Sequence, residues 1–365
     1  MSTLILDDVS KIYGKDTRRS VDGVSMSIKD GEIIALLGSS GCGKTSTLRM
    51  IAGFEDVTSG TIRIGDKVVN DLKPSERDVA MAFEGYALYP PLRVRENIAF
   101  SLLKNRTPRA EIDKRVGAVS DMLEIGPLLD KYPPSLSGGQ QQRVSLARAM
   151  VRNASAFLLD EPMSQLEPQL RALLRARIKD HMTAHRMTTV IVTHDQTEAI
   201  ALSDRVAVMD KGLLQQFGTP DDLRERPANL FVASFIGEPP MNIFPGARTE
   251  NGVVVLNERG EAAFGIAGAT GGLSAHDGLH VGIRPHRIHV GGGVPGAETV
   301  QGEVLSSHWL GDHSHIGLSV GGCFLIAVGD RDATPPAGSV VPVSIPRDAV
   351  HLFDSASGAA IQHGL

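Results

Sequence analysis

Gly38-Ser39-Ser40-Gly41-Cys42-Gly43-Lys44-Thr45 follows an apolar run, Ile33 to Leu37, and leads into a helix-forming segment, Ser46 to Ala52. That order predicts a strand, a loop and a helix, the setting a phosphate-binding loop of the pattern G-x-x-x-x-G-K-[ST] requires. Glycines let the loop's N–H groups turn inward around an anion, and the following helix points its positive end at the same place. In this reading Lys44 reaches the β- and γ-phosphates of a nucleotide and Thr45 puts its hydroxyl on Mg²⁺. Gly38, Ser39, Ser40, Gly41, Cys42, Gly43 and Ser46 form the rest of the cradle.

The flanking sequence supplies the frame such a loop needs. Residues 3 to 9 and 21 to 37 run in short apolar bursts punctuated by Gly23 and Asp30-Gly31, which predicts strands joined by turns, with Tyr13 between the first two. Gly53 is placed as a left-handed helix stop. Residues 60 to 69 read as a hairpin around Gly65-Asp66, and 78 to 83 as a buried strand. From about Arg95 to Arg152 the spacing turns helical, with candidates at 111 to 123 and 138 to 151; Tyr132-Pro133-Pro134 forces an extended approach to the second. Strand character returns at 156 to 159 and 188 to 192, separated by a charged helix at 169 to 185. The alternation predicts an α/β fold with a largely parallel sheet covered on both faces.

Residues 219 to 236 read as two short helices, and Glu238-Pro239-Pro240 marks a boundary. Beyond it glycine becomes dense, and Val/Ile-rich segments recur at 252 to 256, 279 to 290, 301 to 305, 316 to 327 and 339 to 345. Such spacing predicts a small all-β barrel. A chain of 365 residues has room for two or three domains. Its formal charge of −5 offers no basic field for nucleic acid. Cys42 and Cys323 form no disulfide framework, which points to a reducing compartment. The N-terminus lacks the pattern of a signal peptide, and no apolar run reaches the roughly 18 residues of a membrane span, so membrane association is expected only through a partner.

Three further stretches carry chemistry. Ala156 to Glu161 is an apolar strand ending in two carboxylates, delivered where open parallel sheets place their ligands. Asp160 suits Mg²⁺, and Glu161 suits the orientation and deprotonation of an attacking water. Val190 to His194 is a second such strand, ending in a histidine suited to a γ-phosphate contact. Leu136-Ser137-Gly138-Gly139-Gln140 opens a helix and makes another anion cradle, yet it has neither strand behind it nor lysine; it can complete a site elsewhere without being one.

In this order the four motifs, GSSGCGKT, LSGGQ (136 to 140), LLDEP (158 to 162) and VTHD (192 to 195), resemble an ATP-binding cassette subunit of a membrane transporter over about residues 3 to 236. FVASFIGEPPMN (231 to 242), GIRP (282 to 285) and HLFD (351 to 354) resemble the importer ATPases for maltose, sn-glycerol-3-phosphate and related carbohydrates. The resemblance implies an ATPase domain over 1 to 236, with a helical subdomain at about 86 to 152, and an OB-like regulatory barrel of the TOBE type over 237 to 365. It implies ATP and Mg²⁺ as cofactors, and a head-to-tail dimer, homodimer or heterodimer with a related ATPase. There the Gly38–Thr45 loop of one subunit faces Ser137, Gly138, Gly139 and Gln140 of the other. Tyr13 matches the aromatic that stacks on adenine. The assembly it implies includes two transmembrane permease subunits docked at Tyr86 to Pro91 and Val94 to Asn97. An extracytoplasmic solute-binding protein feeds it, and the ATPase sits peripherally on the cytoplasmic face of the plasma membrane.

Two positions depart from the family. Glu84 stands where glutamine normally touches Mg²⁺ and the attacking water, and Glu167 stands where aspartate normally follows Ser-x-Leu. An added carboxylate beside phosphate predicts slow turnover with nucleotide binding retained, and the pair together suggest the weakened half of a heterodimer. His308, His313 and His315 near Trp309 match no common metal spacing and read as polar barrel positions.

Overall fold

The computed structural model describes residues 2–14, 19–268, 278–330 and 335–365. It has two compact units, one running to Pro220 and the other from Asp221 to Leu365. In the first, the chain order is β1 (Leu4–Ile12), β2 (Arg19–Ile28), β3 (Ile33–Gly38), α1 (Lys44–Ala52), β4 (Ser59–Ile64), β5 (Lys67–Val68) and β6 (Val79–Ala82). Then come α2 (Val94–Lys104), α3 (Arg109–Met122), α4 (Gly138–Met150), β7 (Ala156–Asp160), α5 (Pro168–Ala184), β8 (Thr189–Thr193), α6 (Gln196–Leu202), β9 (Arg205–Asp210) and β10 (Leu213–Gly218).

The central sheet has the order β10-β9-β3-β8-β7-β6, parallel except for β10. Strands β3, β7 and β8 are buried at every position, and their alternating side chains feed two cores. Ile33, Phe157, Leu159 and Ile191 join the helices α2 to α5 on one face. Ile34, Leu36, Leu158, Val190 and Val192 join α1 and the antiparallel sheet β2-β1-β4-β5 on the other. Full burial of one such side chain contributes about 1.5–3 kcal/mol, which is why strands covered on both faces read as unbroken apolar runs. The pairs Leu37↔Thr193 and Asp160↔Val192 align the carboxyl ends of β3, β7 and β8 at one edge.

Two local differences from expectation have physical causes. Gly23 does not end a strand: it lies inside β2 at φ 61, where the β1–β2 register slips, and acts as a bulge. The helical insert gains α2, whose weakly periodic sequence hides its start: the Glu96 carboxylate reaches back and accepts from the Arg93 N–H at 2.7 Å.

The second unit begins with α7 (Pro220–Glu225) and α8 (Leu230–Phe235), followed by β11 (Asn242–Thr249), β12 (Gly252–Leu256), β13 (Ala262–Ala267), β14 (Leu279–Ile283) and β15 (His289–Val290). It closes with β16 (Ala297–Trp309), β17 (Ser314–Val320), β18 (Cys323–Gly329), β19 (Val340–Pro346), β20 (Val350–Asp354) and β21 (Ala360–His363). Its antiparallel sheets, β13-β12-β11-β14-β20-β21 and β15-β19-β16-β17-β18, enclose one apolar core in the OB-like manner expected. The division falls earlier than the boundary expected after residue 236, and the reason is Arg284. This guanidinium, 1 % exposed, donates to the carbonyls of Arg224 (2.9 and 3.1 Å), Ala233 (3.0 Å) and Ile236. It thereby closes the open C-terminal carbonyls of both short helices and ties them to the barrel. His308 and His315 face each other across β16 and β17, and His313 lies in the connecting turn, 3.1 Å from His315.

Candidate nucleotide site

The phosphate loop is built on glycine geometry. Gly41 and Gly43 sit at φ 74 and 104, which side chains rarely tolerate. A Cβ at Gly38 would lie 2.2 Å from the Met209 carbonyl, so that position accepts nothing larger. Cys42 is buried, its thiol held above the usual range by burial. Lys44 caps the loop from within: its ammonium donates to the carbonyls of Gly38 (2.7 Å) and Ser39 (2.9 Å). A cation satisfied by its own loop is poised to be shared with phosphate oxygens. Ser39, Ser40 and Gly41 are exposed at the mouth.

Across the sheet edge, Thr45 donates to Asp160 at 3.4 Å. Asp160 is buried, and its carboxyl is pushed up to about 6 by burial first, then by the charges of Glu84 and Glu161. The Thr45 hydroxyl and the Asp160 carboxylate are hard oxygen donors side by side, in the negative field of Glu84 and Glu161, and that pair of donors fits Mg²⁺. Glu161 follows in a left-handed conformation at φ 47 and meets His194 Nδ1 at 2.9 Å. The expected neighbours Lys44, Thr45, Asp160, Glu161 and His194 thus share one sheet edge. Glu84 is exposed and belongs to the same electrostatic neighbourhood.

Tyr13 lies beside the loop, 39 % exposed, its hydroxyl donating to Ser46 at 3.0 Å and its ring 4.9 Å from the Lys11 ammonium. The ring is fixed at its hydroxyl end and remains exposed to solvent, as a stacking platform must be. Ser137, Gly138, Gly139 and Gln140 begin α4, where Ser137 and Gln140 form a reciprocal capping box of 3.1 and 3.4 Å. Ser137 and Gly138 are exposed, so the helix start is open to solvent. Glu167 occupies the N-cap of α5 without a side-chain cap bond, the deficit expected when one methylene is added to aspartate.

Several neighbours escaped the sequence reading. Gln142, on α4, binds the loop after Asp160 through three hydrogen bonds. Glu198 is buried at 2 % exposure, held up to about 7 by burial, with Thr193 donating to it at 2.9 Å. Arg148 donates to the carbonyls of Tyr86 (2.9 Å) and Ala87 (2.7 Å), which hold left-handed φ values of 59 and 47. Only the Gln140-Gln141-Gln142 run offered a sequence signal, because polar residues at the third position of a helix start seldom all face water.

Comparison with known proteins agrees with this geometry. Residues 21–164 match the ABC transporter family and residues 281–353 the TOBE domain. The chain is 44 % identical, over all of itself and 96 % of the relative, to the xylose/arabinose import ATP-binding protein of Haloferax volcanii. It belongs to the ABC transporter family. This ABC ATPase is also 42 % identical, over 99 % of itself and all of the relative, to the trehalose/maltose import ATP-binding protein of Thermococcus litoralis. An sn-glycerol-3-phosphate import ATP-binding protein of Rhizobium meliloti is 48 % identical over 83 % of each chain. A dimeric ATP-binding cassette, MJ0796, solved with ADP and Pi, covers 59 % of this chain and 98 % of its own at a TM-score of 0.55 and 28 % identity. The chain is an ATP-binding transporter ATPase that works with permeases, and among its described residues no helix is long and apolar enough to cross a membrane.

Proposed function

We propose that this ATPase energises import of a carbohydrate, polyol or glycerol-phosphate-like solute. Two copies, or one copy and a related ATPase chain, sit on the cytoplasmic face of two transmembrane permease subunits served by an extracytoplasmic binding protein. The observation that carries the reading is the split between two anion sites. One phosphate loop is complete with lysine and acids, and a second cradle at Ser137 has none of them. The half-sites make one chamber only when two chains meet head to tail, and the import relatives supply the solute class.

In that chamber Tyr13 stacks on adenine, and Lys44 with the loop's N–H groups holds the phosphates. Glu161, oriented by His194, takes the proton of the attacking water, while His194 donates toward the γ-phosphate. Ser137 to Gln140 of the partner subunit complete the anion contacts, helped by the positive end of α4. Thr45 and Asp160, with Glu84 beside them, would hold Mg²⁺, which supplies charge neutralisation at the phosphates. Tyr86 to Pro91 form the permease-facing loop, stiffened by Arg148.

The test is turnover and solute uptake by the reconstituted complex. Glu161→Gln should cut turnover to a small residual rate and stop uptake while ATP still binds; uptake surviving in that variant would end the proposal. A second reading, a weakened half of a heterodimer, is favoured by Glu84. Purification of the native complex distinguishes the two by the presence of one or two different ATPase chains.

A further inference from the structure

The loop after β7 turns sharply, and Glu161 occupies a backbone region that residues with side chains seldom enter. Its own side chain does not impose that turn. On one side the Glu161 N–H donates to the Val192 carbonyl of β8 at 2.9 Å. On the other stands Gln142, projecting from α4 with 3 % of its surface exposed. Its Nε2 donates to the Glu161 carbonyl at 2.8 Å and to Ser164 Oγ at 3.1 Å, and its Oε1 accepts from the Gln165 N–H at 3.0 Å. Ser164 Oγ donates to the same Glu161 carbonyl at 3.2 Å. One buried amide therefore commits both donors and its acceptor to three positions of a single loop, Glu161, Ser164 and Gln165. Close packing reinforces it: a Cβ at Gly139 would lie 2.9 Å from the Gln165 carbonyl, so α4 lies with bare backbone against that loop.

We propose that Gln142 is a positioning residue for hydrolysis. It pins the Glu161 peptide in its left-handed form and so aims the Glu161 carboxylate between His194 and the phosphate loop. It also makes the start of α4, which carries Ser137 to Gln140, and the loop carrying Glu161 move as one piece. A shift of α4 when its cradle engages a neighbour's nucleotide is thereby delivered to Glu161 of the same chain. The inference rests on Glu161 being the base, and deepens that reading by naming what holds it.

A double-mutant cycle on the full-length chain, followed by Mg-ATP turnover and binding of a fluorescent ATP analogue, tests it. Gln142→Met keeps the length and removes all three bonds. The expected result is a fall in kcat on the order of tenfold or more, with KM for ATP, analogue affinity and ATP-driven dimerisation within about twofold of the parent. In a Glu161→Gln background the same substitution should change residual turnover by less than about twofold, because the group it positions is already gone. Should Gln142→Met fail to fold, Gln142→Glu takes its place in the cycle; it retains the acceptor for Gln165 and loses the donor to Glu161. Unchanged kcat, or equal losses in both backgrounds, overturns the proposal. A Glu161→Gln chain that turns over at the parental rate overturns the base assignment as well, and that single variant identifies the case.

Discussion

Replacing Glu84 by glutamine removes a negative charge from a neighbourhood where Asp160 is already pushed up to about 6, by burial first and then by Glu84 and Glu161. Two like charges about 4 Å apart repel by about 1 kcal/mol in water and about 4 kcal/mol at an effective dielectric near 20. Glu84 is exposed, so the lower figure applies. Where that relief of about 1 kcal/mol is felt in the transition state, as negative charge builds on the attacking oxygen, it corresponds to roughly a fivefold gain in kcat. The assay is kcat at saturating Mg-ATP for parent and Glu84→Gln, in the complex and in the isolated full-length chain. The gain should shrink between about 0.1 M and about 1 M salt, as the screening length drops from about 10 to about 3 Å. An equal or slower rate for Glu84→Gln would mean the carboxylate helps the reaction, and a gain indifferent to salt would rule out charge as its cause.

Three other outcomes are expected. Glu198 titrates near 7 in the folded chain against 4.5 for the free group, so folding binds its proton more tightly: stability on this account is full below pH 4.5 and is lost as pH rises through 7. Glu198→Gln should therefore match the parent near pH 5 and exceed it by up to about 3 kcal/mol at pH 8, measured by urea unfolding. Arg284→Lys should destabilise the C-terminal unit by about 3 kcal/mol, because an ammonium offers its donors from a single nitrogen and cannot span carbonyls that Arg284 reaches from three, and scanning calorimetry should show its transition lowered by roughly 10 °C. Glu167→Asp should restore the missing cap of α5 and stabilise the first unit by about 1 kcal/mol in thermal unfolding, with no change refuting the cap argument.

The phosphate loop, Asp160, Glu161 and His194 were legible because each lies at the carboxyl end of an apolar strand, and a parallel sheet brings such ends to one edge whatever separates them in the chain. Local spacing plus one rule of topology sufficed. Gln142 was not legible, since its task exists only where α4 meets a loop that follows it by 19 residues, and no periodicity announces that meeting. The same holds for Arg148, which steadies a left-handed pair 61 and 62 residues upstream. Glu198 carries no signal in the sequence: nothing local marks an acid on a short helix as buried, yet the structure buries it and favours its neutral form. The two C-terminal sheets were visible as recurring Val/Ile runs, but the turn at Gly321-Gly322 that makes 316 to 327 a hairpin had merged into one segment.

Arg284 has a bearing on how the chain can be shortened. A protein engineer wishing to keep only the ATPase half would, from motif boundaries, cut after residue 236 and retain both short helices. Those helices would then lose the guanidinium that occupies their carbonyls, and would dangle as a sticky, fraying tail. A cut at Pro220 leaves both helices out, so the two truncations should differ in solubility far more than a difference of sixteen residues would suggest, because Leu223, Val232, Ala233 and Ile236 are buried in the whole chain.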